Sequence, residues 1–132
     1  MTTVKMVAER DASAKVKAVY EEVQRTLGIP FVPNLFKAMA ANPDYLQATW
    51  NQFKAVMGPG ELTRREKELV ALAVSATNNC KYCIYAHTAA LKGMGLSERG
   101  IVELMAVVGL FNNFNKFADG LLVEPDLGVS AS

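Results

Sequence analysis

Cys80-Lys81-Tyr82-Cys83-Ile84-Tyr85-Ala86-His87 holds both cysteines and the single histidine of the chain within eight consecutive residues. In a helix Cys80, Cys83 and His87 fall at i, i+3 and i+7, so both sulfurs and the imidazole share one stripe. A thiol pair with a proton-transfer group one turn away is what thiol–disulfide chemistry requires: the thiolate is the nucleophile and the imidazole takes its proton. Asn79 reads as the N-cap of this helix, which puts both cysteines in the first turn, where unpaired amides and the positive end of the dipole favour an anion. His87 lies one turn beyond Cys83 and two beyond Cys80, so Cys83 is the thiol expected to be activated directly. A carboxylate that orients the ring would complete a nucleophile–base–orienter set, and Glu68, on the preceding helix, is the candidate. Spacing of i, i+3 also brings the two sulfurs close enough for a reversible disulfide.

The elements that must position these side chains all read as helices. Asp11 or Ser13 caps a helix with Val16, Val19, Tyr20, Val23 and Leu27 on its apolar face and Gly28 as its stop. Pro30 and Pro33 mark a loop, and Leu35 to Ala41 a short helix. Asn42-Pro43 starts the next, with Tyr45, Leu46, Trp50, Phe53 and Met57 facing inward and Gly58-Pro59-Gly60 ending it. Thr63-Arg64-Arg65-Glu66 is a capping box opening a helix through Leu69, Leu72, Ala73 and Ala76, with Arg64, Arg65 and Lys67 on its polar face. A short Asn78-Asn79 connection folds this helix back beside the cysteine helix, which Gly93 and Gly95 stop. Ser97 caps a helix with apolar Ile101, Val102, Leu104, Met105 and Val108, and a last helix is expected from about Leu110 to Leu122. The result is an all-α fold of six or seven helices in one domain, residues 1–132, with a motif-bearing core at about 62–122 and a tail at 125–132.

Composition narrows the partners. Charged residues make up 20% of the 132 and the formal net charge is +1, which points to neither nucleic acid nor an anionic membrane surface. No apolar run reaches the roughly 18 residues of a membrane span, and Met1 to Glu9 carries no continuous apolar signal region, so a cytoplasmic location is expected. In a reducing compartment a lone CxxC serves catalysis or metal binding rather than stapling, because so small a loop restrains the unfolded chain little. Hydrophobic residues at 51% in a chain this short leave apolar faces for a homo-oligomer to cover. Trp50, Tyr82, Tyr85, Phe111, Phe114 and Phe117 read as core or subunit-interface packing.

Glu68, eleven residues, Cys80-x-x-Cys83-x-x-x-His87, then Thr88, Leu91, Gly95-Leu96-Ser97 and Ile101 together resemble the core of the AhpD-like alkylhydroperoxidases of the carboxymuconolactone decarboxylase superfamily. The resemblance runs from about Leu62 to Leu122. Phe111-Asn112-Asn113-Phe114-Asn115-Lys116 is similar to the F-N-x-x-N-basic pattern of its peroxidase-related branch. The resemblance implies an all-α fold, trimers or hexamers, and a thiol peroxidase that needs no cofactor: no haem, no metal, no flavin. It implies that a Glu–His relay deprotonates a thiol, that the thiolate attacks a hydroperoxide, and that the sulfenic acid condenses with the second cysteine. An external dithiol, a lipoyl adaptor or a thioredoxin-like protein, then restores the enzyme. Tyr82 stands where some relatives place another histidine. The superfamily's decarboxylases lack the cysteine pair, so its presence here speaks for redox rather than lactone chemistry.

Three other readings stand beside the peroxidase. On the same fold, disulfide formation could serve a non-catalytic redox sensor or binding module. Cys80, Cys83, His87 and Glu68 could hold a tetrahedral zinc ion, although structural zinc sites usually draw on loops or two separated pairs rather than three ligands on one helix. The two cysteines could also be buried structural thiols.

Overall fold

The computed structural model describes residues 1–128, and among them every regular element is helical. A single 3-10 turn, Glu9–Asp11, precedes six helices: α1 (Ala14–Leu27), α2 (Asn34–Met39), α3 (Pro43–Met57), α4 (Arg64–Thr77), α5 (Lys81–Gly93) and α6 (Glu98–Gly120). The chain divides into two compact units, Met1–Gly58 and the residues from Pro59 onward.

In the first unit the starts and stops follow side-chain chemistry. Ser13 Oγ accepts from the N–H of Val16 and Asn42 Oδ1 from that of Tyr45, satisfying amides that the helix leaves open. Gly28 ends α1 at φ 65, a left-handed conformation that costs a glycine nothing. Val16, Val19, Tyr20 and Val23 bury the apolar face of α1 against Leu46 and Trp50 of α3 and Phe36 of α2. Tyr45, expected inward, is exposed, because it lies one position off the stripe that Leu46 and Trp50 define. Val32, in the loop between the prolines, is fully buried. Trp50 is the hub. Its ring stacks on Phe53 at 5.1 Å and meets Phe36 edge-on at 5.6 Å, while its Nε1–H donates to Glu22 Oε2 at 2.7 Å. Lys54 Nζ donates to both oxygens of the same carboxylate, so the one polar group on this indole is satisfied within a charged pair.

The second unit is built on α4, against which both α5 and α6 pack. The capping box opens α4 as its sequence indicates: Thr63 Oγ1 accepts from the N–H of Glu66, whose carboxylate accepts from the N–H of Thr63. Leu72 and Leu91 form its apolar centre, both fully buried.

The expected break near Val108 is absent, and α6 runs unbroken for 23 residues. Gly109 weakens a helix by about 1 kcal/mol relative to alanine, but no proline or N-capping side chain accompanies it, so nothing competes with the continuing hydrogen-bond ladder. From Gly109 to Gly128 every residue is exposed, including Phe111, Phe114 and Phe117, and Val102 on the earlier half is exposed too. Residues 125–128 carry no helix; the rest of the expected tail, 129–132, lies outside the described residues.

Candidate active site

The connection between α4 and α5, Asn78 to Cys80, is one residue longer than an N-cap at Asn79 would make it. Asn79 is not the cap: it adopts φ 57, and it ends α4 rather than starting α5. Its N–H donates to Ala76 O at 3.2 Å and the Cys80 N–H donates to Ser75 O at 3.0 Å, the paired bonds of a Schellman turn. Asparagine is among the few side-chain-bearing residues that tolerate this conformation. Cys80 is therefore at once the last residue of that turn and the N-cap of α5, its Sγ accepting from the N–H of Cys83 at 3.2 Å. Lys81, not a cysteine, takes the first helical position, and Cys83 sits at the third.

The two sulfurs are joined in a disulfide, with Cα atoms 5.3 Å apart, inside the span that disulfides bridge without moving the backbone. Both cysteines are half-buried. Reduction would place the Cys83 thiol among the first-turn amides, where a thiolate is favoured.

One turn further along, His87 Nδ1 lies 2.7 Å from Glu68 Oε2. An ionised carboxylate can only accept, so the ring carries a proton on Nδ1; in the neutral imidazole that leaves Nε2 as the acceptor. Cys83 and His87, at i and i+4, are neighbours on the same face of α5. Glu68 itself is only 3% exposed. Burial pushes its carboxyl pKa up, but the hydrogen bond from His87 and the Arg64 guanidinium together hold it below the ordinary glutamate value.

Arg64 reaches Glu68 Oε1 through Nε at 3.2 Å and Nη2 at 3.1 Å. It is thus not simply part of the solvated face of α4. The available signal was the i, i+4 spacing from Arg64 to Glu68, which an exposed pair would share. On the far side of α4, Thr77 Oγ1 donates to Asn112 Oδ1 of α6 at 3.3 Å, tying the Phe111–Lys116 pattern to the helix end that leads into the cysteines.

The four expected residues form two pairs: Cys80 and Cys83 in a disulfide, and His87 in a hydrogen bond with Glu68. Among the described residues no group of three or more histidine, cysteine, aspartate or glutamate side chains is arranged to hold a metal ion, and sulfurs joined to each other cannot serve as thiolate ligands. A shallow concavity of about 500 Å³ lies at the end of α6, lined by Asn115, Asp119 and Leu122 among others, and includes none of the four.

The carboxymuconolactone decarboxylase family model matches residues 43–123. The crystal structure of an alkylhydroperoxidase AhpD core from Rhodospirillum rubrum superposes with a TM-score of 0.89 at 35% identity, over 96% of this chain and 95% of that one. An alkyl hydroperoxide reductase of Mycobacterium tuberculosis is 33% identical over 92 residues, 70% of this chain and 26% of that protein. An (R)-2-haloacid dehalogenase of Pseudomonas putida is 29% identical over 106 residues, 80% of this chain and 35% of that protein. The chain thus spans between about a quarter and about a third of the length of these two curated relatives. No helix among the described residues is long and apolar enough to cross a membrane.

Proposed function

The chain belongs to the carboxymuconolactone decarboxylase family, and from that premise we propose that it is a thiol-dependent peroxidase that reduces hydrogen peroxide or organic hydroperoxides through a Cys80/Cys83 dithiol–disulfide cycle. The observation that carries this reading is a disulfide between half-buried cysteines at the start of α5, one helical turn before an imidazole whose Nδ1 is hydrogen-bonded to a buried carboxylate. The names of similar proteins, one an alkyl hydroperoxide reductase and one an alkylhydroperoxidase core, support it. The similar protein named a dehalogenase indicates that this fold hosts other chemistry, and the cysteine pair favours redox chemistry here.

In the reduced protein His87 Nε2 takes the proton of Cys83 Sγ, and Glu68 stabilises the imidazolium. The thiolate attacks one peroxide oxygen; the O–O bond breaks, and the departing oxygen leaves as water or alcohol with a proton from the imidazolium. Cys83 becomes a sulfenic acid. Cys80 sulfur displaces its hydroxyl, releasing water and forming the disulfide. An external dithiol, a lipoyl adaptor or a thioredoxin-like protein, returns two electrons by exchange and is itself oxidised. No metal or organic cofactor enters these steps. We place the protein in the cytoplasm, as one AhpD-like domain with its motif-bearing core at about 62–122, assembled as a homotrimer or homohexamer.

The test is turnover. Peroxide consumption in excess of protein, with dihydrolipoyl groups or dithiothreitol supplied and abolished in Cys83→Ser, is expected. Oxidation that stops after one equivalent with every dithiol tried would make the protein a redox sensor instead.

A further inference from the structure

Arg64 stands where two local preferences oppose it. It occupies the first position of α4, at the positive end of the helix dipole, which disfavours a cation. Its partner Glu68 lies four residues toward the C-terminus, the weaker of the two orders for such a pair. A pair placed for helix stability would be reversed. Instead the guanidinium delivers two hydrogen bonds, from Nε and Nη2, to a single oxygen of a carboxylate that is almost wholly withdrawn from water. The other oxygen faces His87 Nδ1. The polar side chains acting on Glu68 are thus Arg64 from its own helix and His87 from α5.

We propose that Arg64 is a positioning residue that fixes Glu68 in rotation and in its ionised state, and through it holds the proton of His87 on Nδ1 so that Nε2 faces the Cys83 thiol as a base. This rests on the peroxidase reading for its purpose but not for its geometry. Ionised, this carboxylate is the stronger acceptor for the ring N–H and offers it no competing O–H donor. Without the guanidinium, Oε1 loses both donors, the carboxyl group gains protons or rotates toward water, and the ring is released to the Nε2–H form that neutral imidazole otherwise populates. In that form Nε2 has no lone pair for the thiol.

His87 is the chain's single histidine, so ring nitrogen NMR reads one imidazole without assignment. In reduced protein at pH 8 the expected wild-type ring is predominantly Nδ1–H. Arg64→Gln is expected to acquire a substantial Nε2–H fraction, and alkylation of Cys83 at pH 7 in a Cys80→Ser background to slow about tenfold, the equivalent of one pKa unit on the thiol. Arg64→Lys, which keeps the charge but not the fork, is expected to recover part of both, and it carries the comparison should Arg64→Gln not fold. An unchanged ring proton in Arg64→Gln, or in Arg64→Lys if only that folds, overturns the proposal. Failure of the wild type to consume peroxide, with the ring proton still moving in Arg64→Gln, overturns the peroxidase reading and leaves the positioning role standing.

Discussion

Glu68 and His87 lie nineteen residues apart in the chain and 2.7 Å apart in space, one on each arm of a helical hairpin. The turn that closes this hairpin also caps the helix bearing the cysteines, so one short segment sets both the ring's partner and the disulfide's place at a helix start.

If His87 takes the Cys83 proton and Glu68 holds the ring, loss of either slows oxidation without unfolding the protein. His87→Gln and Glu68→Gln are each expected to slow peroxide-driven oxidation by roughly 10²–10⁴, Glu68→Gln at the lower end because it acts at one remove. The double variant should be little slower than the worse single one. The pH profile of Cys83 alkylation should move upward in both. An unchanged alkylation rate at pH 7 in His87→Gln would return the histidine to a structural role.

Acid should expose the Glu68 interactions in stability. Its folded pKa lies below its unfolded value, so the contribution is fully present above the unfolded glutamate value of about 4.3 and is lost as the pH falls through the lower folded one. Urea unfolding from pH 6 to pH 3 should therefore weaken the wild type more than Glu68→Gln. Parallel curves for the two would mean that the carboxylate gains nothing from its partners.

Asn79 offers a test of the turn itself. At φ 57 a β-branched side chain is strained, so Asn79→Val should destabilise by about 1–2 kcal/mol, and Asn79→Gly should be neutral or stabilising. Equilibrium unfolding of the reduced protein reads both. Equal stability of all three would imply that the junction relaxes.

Much of this arrangement is legible in residues alone, and what is not has a physical reason. Ser13, Asn42, Thr63 and Ser97 announce their helices because capping is local chemistry: each side chain accepts from an amide three residues on. Glu68 and His87 are readable as partners only because a short connection forces adjacent helices to fold back. Asn79 misled because the same short polar side chain suits an N-cap and a left-handed turn, and only the competition with Cys80 for the cap decides between them. Arg64 escaped because helical spacing shows that two side chains meet but not that one of them is buried.

The exposed aromatic run on α6 leads to a prediction about assembly. Phe111, Phe114 and Phe117 recur every three residues and are all more than half exposed, with Phe111 and Phe114 edge-on at 5.8 Å. Surfaces of this kind are normally covered. Sedimentation at micromolar concentration is expected to give a homotrimer or homohexamer, and Phe114→Asp a smaller species. A wild-type monomer would count against assembly through this face.

Trp50, with its indole held between Phe53, Phe36 and Glu22, is the chain's single tryptophan and belongs to the first unit, as His87 is its single histidine and belongs to the second. Each unit thus carries one native reporter that the other lacks. Indole fluorescence followed beside the imidazole resonance during denaturation would show whether the redox hairpin melts with its N-terminal neighbour or opens by itself, with no label added to either.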